Sequence, residues 1–159
     1  MRVVTLAAAG IALVLAAGCG SGTGTARGRT LVERVHATPA RRAANGCAFL
    51  IAAPLVGSGR QTTCITQLGG VPGPGVVMHN SGRMTFRLPK GSITARVRIT
   101  QRFASDGVHA RQTVRGSIAG GTGAYRGVRG TISGRGTVVD RQNGLGHVDL
   151  AYMLHLDGG

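Results

Sequence analysis

Apolar and polar residues alternate along much of this chain, in segments separated by glycine-rich breaks. In the clearest segment, odd positions carry Ile93, Ala95, Val97, Ile99, Gln101 and Phe103, and even positions carry Thr94, Arg96, Arg98, Thr100 and Arg102. Because the side chains of a β-strand point alternately to its two faces, this pattern predicts a strand with one apolar and one basic face.

The next segment, 108–118, repeats the alternation after a turn-rich stretch at 104–107. The two segments therefore predict a β-hairpin. With a four-residue turn, the expected pairs are Phe103 with Val108, Val97 with Val114, Ile93 with Ile118, Gln101 with Ala110, Ile99 with Gln112 and Arg96 with Arg115. A slip by one residue would turn each apolar set to the wrong face, so the alternation specifies the register.

Further strands are predicted over 48–56, 64–68, 83–88, 130–140 and 147–156, and no segment indicates a helix longer than about two turns. About eight regularly spaced strands in little more than a hundred residues imply an all-β domain. The closed antiparallel barrel and the sandwich are the two architectures that fit this count.

The segment 118–130 distinguishes between them. It reads Ile-Ala-Gly-Gly-Thr-Gly-Ala-Tyr-Arg-Gly-Val-Arg-Gly. It lacks the Lys-Ser/Thr and the helical pattern of a phosphate-binding loop. The segment resembles the strand-end motif of the allene oxide cyclase and dirigent superfamily, in which a strand runs into Gly-Gly-Thr-Gly and an aromatic residue follows. The resemblance implies an antiparallel β-barrel of about eight strands, with Tyr125 covering one end.

The amino terminus has the pattern of an export signal. Met1-Arg2 precedes an uncharged apolar run that ends at Ala17, and Gly18-Cys19 follows. This arrangement resembles a bacterial lipoprotein signal with Cys19 as the lipidated residue, although Ala16 stands where leucine is commoner. Plain secretion and an uncleaved anchor are the alternatives, but the run is shorter than the ~20 residues that span a bilayer.

These segments predict the domain organisation. We expect a lipoprotein signal peptide over 1–18, a flexible tether over 19–45 that is rich in Gly, Ser, Thr, Ala and Arg, and a barrel domain over 46–159. The expected location is extracytoplasmic, at the bacterial cell membrane, to which the lipid on Cys19 attaches the protein.

Two cysteines remain once Cys19 is assigned to the lipid. An even number of cysteines in an oxidising compartment favours a disulfide between Cys47 and Cys64. A pair of reduced, buried cysteines is the alternative. A metal site or a catalytic thiol is not indicated, because no Cys-x-x-Cys or paired histidine spacing accompanies them.

The chain is strongly basic. Without Arg2, 18 basic side chains face five acidic ones, a net charge of about +13, and Lys90 is the sole lysine. Codon usage in a GC-rich genome and attraction to anionic lipid or acidic envelope polymer both explain such a composition. Nucleic acid is not an expected partner, since few aromatic side chains are available for stacking. The expected anionic-surface residues are Arg83, Arg87, Arg96, Arg98, Arg102, Arg111 and Arg115.

Gln101 and Gln112 interrupt otherwise apolar faces. A buried amide needs hydrogen-bond partners, so the pair binds a ligand or an internal water, or its members bond each other or nearby backbone. With Tyr125, they are the candidate ligand-binding residues. Members of the superfamily hold an intermediate in a mostly apolar lumen, which implies a small apolar ligand here.

No catalytic residue is predicted. Of the acids in the expected barrel, Asp106 falls in a turn and Asp157 near the end of the chain, and none matches a family catalytic position. No metal or other cofactor is expected, since His147 and His155 are eight residues apart, about 26 Å along a strand. The sequence thus favours a binding or scaffold protein. A cyclase, isomerase or dirigent-like activity and a structural envelope protein are the alternatives. Superfamily members form dimers or trimers, which implies a homo-oligomer whose interface the sequence does not identify.

Overall fold

A computed structural model describes residues 28–141 and 144–157 of the chain. Nine antiparallel strands form one sheet in the order β1-β9-β8-β7-β6-β5-β4-β3-β2. They are β1 (Arg29–Ala37), β2 (Ala40–Ala44), β3 (Cys47–Pro54), β4 (Arg60–Gln67), β5 (Val77–Leu88), β6 (Gly91–Phe103), β7 (His109–Gly123), β8 (Arg129–Arg141) and β9 (Gly144–Asp157). Within the described ranges there is no helix, and so none that could cross a membrane.

The predicted all-β, barrel-like fold is confirmed, with nine strands where about eight were expected. The sheet curls so that β1 approaches β3, at its opposite side. The backbone N–H of Val56 donates to the carbonyl of Arg34 at 2.8 Å, and Val35 and Ala53 belong to one core. Some backbone N–H and C=O groups at the edges of the sheet thereby gain hydrogen-bond partners where its two sides meet.

The core follows from the alternation of the sequence. Inward residues of β5 to β9 are almost fully buried, and the largest of them include Tyr152, Phe86, Met84, Ile93 and Leu154. Phe86 and Tyr152 meet edge to face, with ring centroids 5.3 Å apart. Burial of this set against the opposite wall of the sheet favours its closure.

The predicted register of the β6–β7 hairpin is wrong by two residues from Ala95 to Phe103, and by three at Ile93, which lies opposite Gly121 beyond a bulge at Thr94 and Ala95. Phe103 lies opposite Ala110, Gln101 opposite Gln112, and Arg98 opposite Arg115. The reason is a longer turn, because the Ala104 N–H donates to the carbonyl of His109 and leaves Val108 outside the ladder. A shift of two preserves which side chains face inward, so the predicted faces hold while their partners change.

The folded domain begins earlier than expected. Strands β1 (Arg29–Ala37) and β2 (Ala40–Ala44) lie within the segment predicted to be a tether, so the domain does not start at 46. β1 pairs along its whole length with β9, which places Val35 opposite Leu150. Residues 31–35 read Leu-Val-Glu-Arg-Val, which does not alternate, so β1 depends on a long-range pairing that no local pattern reveals. Residues 19–27 of the expected tether lie outside the described residues, as does the expected signal peptide.

The glycine-rich segment forms the β7–β8 connection. The Tyr125 N–H donates to the carbonyl of Thr122 at 3.1 Å, and Gly123 adopts a φ of +59°. Gly121 cannot be larger, since a Cβ there would lie 2.5 Å from the Tyr125 carbonyl oxygen. This turn packs the Tyr125 ring, which is 8% exposed, against the core.

The expected disulfide is present. Cys47 and Cys64 are bonded, with Cα atoms 5.3 Å apart, and link the start of β3 to β4. The bond tethers the β2–β3 hairpin to the rest of the sheet.

Candidate functional site

The barrel contains a cavity of about 320 Å³ near the end where β6 and β8 terminate. Its walls are mainly apolar and include Val35, Ile51, Ile99, Leu150 and Tyr152. Arg41, Leu68 and Val71 also line it and are exposed to solvent, which places the mouth of the cavity at these residues. The size falls at the lower end of the range for small-molecule sites.

Five buried polar side chains line this cavity: Gln61, Thr63, Asn80, Gln101 and Gln112. Both candidate glutamines are therefore brought to one site, as the alternation predicted. Extending the alternation of β5 and β4 backwards from Met84 and Ile65 would have indicated Asn80, Gln61 and Thr63 as well.

Three of these amides form a hydrogen-bonded chain. Asn80 Nδ2 donates to Gln101 Oε1 at 3.2 Å, and Gln101 Nε2 donates to Gln112 Oε1 at 3.2 Å. The chain starts at the backbone, since the Gly69 N–H donates to Asn80 Oδ1 at 3.0 Å. The two glutamines thus bond each other, one of the alternatives that the sequence left open.

A second polar pair lies on the β4 wall. Gln61 Nε2 donates to Thr63 Oγ1, and both side chains are buried. A hydroxyl can donate or accept a hydrogen bond, so the Gln61 amide can bond Thr63 through either its nitrogen or its oxygen. The β4 wall can therefore meet either a donor or an acceptor.

The mouth carries two charged side chains, Arg41 and Asp140, neither of which the sequence analysis predicted as a site residue. The Arg41 guanidinium carbon lies 3.5 Å from the centroid of the Phe49 ring, a cation–π contact. Burial raises the pKa of Asp140 above its usual range, and the positive charge of Arg41 opposes that shift. Arg41 belongs to β2, a strand that the sequence analysis did not predict, although the hairpin-turn signal Asn45-Gly46 would have indicated a strand before β3.

The loop before β5 covers part of the mouth. Leu68, Gly70, Val71 and Pro72 line the cavity. The loop is held close to β5, because a Cβ on Gly69 would lie 2.0 Å from the carbonyl oxygen of His79. Only glycine, which has no Cβ, allows the backbone of the loop to lie this close to β5.

Tyr125, the third candidate ligand-binding residue, does not belong to the cavity. It lies in the β7–β8 turn, at the opposite end of the barrel, where the Arg29 guanidinium sits 5.4 Å from its ring. Its burial agrees with a role in covering that end of the barrel.

The seven predicted surface arginines are all exposed and lie on the outer face of three adjacent strands, β5, β6 and β7. They are Arg83, Arg87, Arg96, Arg98, Arg102, Arg111 and Arg115. Three directly opposed pairs result: Arg83 with Arg96, Arg98 with Arg115, and Arg102 with Arg111. Among the described residues, none of these arginines forms an ion pair.

The histidines do not assemble a metal site. His147 contacts His36 on β1, with Nε2 and Nδ1 3.3 Å apart, and His36 lies 3.6 Å from the Asp149 carboxylate. His155 instead contacts Thr30. Across 28–141 and 144–157, no group of three or more suitable side chains could hold a metal ion. Cys19, the expected lipidation site, lies outside this part of the chain.

Comparisons with protein-family models, with curated proteins and with solved structures found no match to this chain.

Proposed function

We propose that this protein is a lipid-anchored extracytoplasmic binding protein that holds a small apolar ligand in its cavity. The observation that carries the proposal is the cavity itself, in which apolar walls enclose a hydrogen-bonded chain of buried amides. Apolar walls with a few convergent polar groups are the usual composition of a small-molecule site.

The volume of the cavity limits the ligand. A water molecule occupies about 30 Å³ of liquid, so about 320 Å³ corresponds to roughly ten waters, or a ligand of roughly ten to fifteen non-hydrogen atoms. Such a ligand would bind through burial of apolar area.

Binding is favoured over catalysis by the titratable groups available. Among the described residues that line the cavity, Asp140 is the only carboxylic acid, and it lies at the rim beside the Arg41 cation. Burial raises the pKa of the Tyr152 phenol, which keeps that group neutral. General acid–base chemistry needs a positioned proton donor and acceptor at the reacting atoms. A cyclase, isomerase or dirigent-like activity would have to work without such a pair deep in the cavity.

Butylbenzene, a neutral apolar probe of suitable size, tests the proposal by titration calorimetry. We expect saturable binding to the wild-type protein. Ala53 is 2% exposed and lines the cavity, whereas its neighbour Ala52 does not line it. Ala53→Phe should therefore abolish binding and Ala52→Phe should retain it. No saturable binding to the wild type would contradict the proposal.

Anchoring is separately testable. The n-region, the apolar run and Gly18-Cys19 support export and lipidation. Cys19→Ser should release the protein from the membrane fraction and abolish acylation. Retention in the membrane with an unchanged mass would contradict the anchor.

The seven exposed arginines on the outer side of β5, β6 and β7, here called the arginine face, support a second function, attachment to an anionic lipid surface. Like charges directly opposed across strands are unfavourable, and in this protein no described carboxylate compensates them. A lipid anchor combined with polybasic attraction binds membranes more strongly than either alone.

Vesicle co-sedimentation tests this attachment. The Cys19→Ser protein should bind phosphatidylglycerol vesicles at low salt and dissociate from them at high salt. It should not bind phosphatidylcholine vesicles. Arg98→Gln with Arg115→Gln should weaken binding more than the control pair Arg34→Gln with Arg126→Gln. An equal loss of vesicle binding in both double variants would show that binding depends on net charge alone. That result would contradict a specific role for the arginine face.

A further inference from the structure

The amide chain in the cavity has a fixed direction. A backbone N–H can only donate, so the Gly69 N–H requires that the oxygen of Asn80 face it. Asn80 must then present its nitrogen to Gln101, which accepts with its oxygen and presents its own nitrogen to Gln112. Each amide in turn is oriented by the one before it.

This direction determines which atom of Gln112, the last amide of the chain, has no described partner. Gln112 accepts with its oxygen, so its amide nitrogen is left at the free end of the chain. That nitrogen has no partner among the residues that the structure describes. Among those residues, every fully enclosed side-chain nitrogen or oxygen has a hydrogen-bond partner. The Gln112 nitrogen is therefore not fully enclosed, and it is open to the cavity that Gln112 lines.

We propose that the ligand places a neutral hydrogen-bond acceptor, such as a ketone, aldehyde or ester carbonyl oxygen, on the amide nitrogen of Gln112. This inference rests on the proposed function, because it names the chemical class of ligand for the same cavity. A ligand without an acceptor would leave the amide unpaired and would bind less tightly.

A neutral acceptor is favoured over a carboxylate by the position of the charges. Gln112 pairs with Gly136 on β8, and Asp140 follows four residues later, about 13 Å along the strand. Arg41 shares the rim with Asp140 and already contacts Phe49. A carboxylate at Gln112 would thus be buried against a neutral donor with no described cation beside it, which costs more than burying a carbonyl.

The β4 wall does not select in the same way. Because Gln61 bonds to a hydroxyl, its amide can present either end to the cavity. The Tyr152 phenol also lines the cavity, but a hydroxyl can donate or accept. Among the described polar side chains of the cavity, the directional preference therefore comes from Gln112.

Three probes of similar shape test the inference: butyrophenone, butylbenzene and para-propylbenzoate. We expect wild-type protein to bind butyrophenone about fivefold more tightly than butylbenzene, the gain from one neutral hydrogen bond, and to bind para-propylbenzoate more weakly than either. Gln112→Met should reduce the preference for the ketone to about twofold or less. The same change at the exposed Gln67 should leave the preference at its wild-type value.

Nuclear magnetic resonance of the wild-type side-chain amides keeps the test independent of any variant. Butyrophenone should shift the Gln112 amide protons downfield, and butylbenzene should not. Equal affinity for both neutral probes, with no such shift, would overturn the inference while the apolar site stands. Tightest binding of para-propylbenzoate, lost in Arg41→Gln, would also overturn it and assign selection to the rim. Failure of all three probes to bind would count against the proposed function itself.

Discussion

Gln101 and Gln112 lie directly opposite each other on β6 and β7, and their amides are joined by a hydrogen bond of 3.2 Å. Both side chains are less than a tenth exposed. The pair connects Asn80 on one side to the open cavity on the other, so a change at either glutamine affects the whole chain.

Removing the middle of this chain should be more costly than its end. Gln101→Met leaves the Asn80 nitrogen and the Gln112 oxygen without their partners, and we expect the free energy of unfolding to fall by about 2 to 3 kcal/mol. Because the two glutamines share a bond, the double variant with Gln112→Met should be less destabilised than the sum of the single variants, by about 1 kcal/mol. Urea unfolding of the four proteins measures this; strict additivity would contradict the coupling.

The first link of the chain depends on a glycine. Gly69→Ala would bring a Cβ within 2.0 Å of the His79 carbonyl oxygen and would displace the N–H that bonds Asn80. We expect a loss of about 1 to 3 kcal/mol in unfolding free energy. Gly73→Ala, in the same loop, meets only the Val76 side chain at 3.4 Å and should change stability by less than about 0.5 kcal/mol. Similar losses in the two variants would refute the close-approach argument.

Strand alternation explains how much of this site the sequence could predict. Period-two patterns identify which residues of β6 and β7 face inward, and this holds even though the register differs by two. The patterns did not supply β1 and β2: the apolar residues of β1 do not alternate regularly and its pairing with β9 is long-range, whereas β2 is short and pairs locally with β3 through the Asn45-Gly46 turn. Arg41 was missed together with β2, and the 68–72 loop was missed because its place depends on the close approach of Gly69 to His79 on β5.

The disulfide should contribute substantially to stability. It closes a loop of 17 residues between Cys47 and Cys64, for which the chain-entropy model gives about 3 kcal/mol. Replacing both cysteines by serine should lower the free energy of urea unfolding by about this amount. A reducing agent should lower the stability of the wild type but not of the double variant. Insensitivity of the wild type to reduction would argue against the bond.

The β6–β7 turn makes stability depend on pH in the acid range. The Asp106 carboxylate accepts from the backbone N–H groups of Val108 and His109, which, with the His109 side chain, lower the pKa of Asp106 to about 2. Because this lies below the unfolded value of about 3.9, the stabilisation is complete above that value and is lost as pH falls toward about 2. Asp106→Asn should flatten this part of the profile of melting temperature against pH; an unchanged acid slope would contradict the assignment.

The arginine face predicts opposite effects on stability and binding. Arg98 lies directly opposite Arg115, so Arg98→Glu converts a repulsive pair into an attractive one and should raise stability by about 0.2 to 1 kcal/mol. The same variant should bind phosphatidylglycerol vesicles more weakly than Arg34→Glu, which has the same change of charge away from the face. Tighter vesicle binding by Arg98→Glu would contradict the proposed surface.

The most direct test of the central claim is native mass spectrometry of the protein purified from the cells that export it. An occupied cavity predicts a discrete adduct on the order of 200 Da, the mass of roughly ten to fifteen non-hydrogen atoms. The adduct should be present in the wild type and in Ala52→Phe, and absent from Ala53→Phe, whose larger side chain fills the cavity. An adduct that persists in Ala53→Phe, or the bare polypeptide mass in all three proteins, would contradict a ligand held in this cavity.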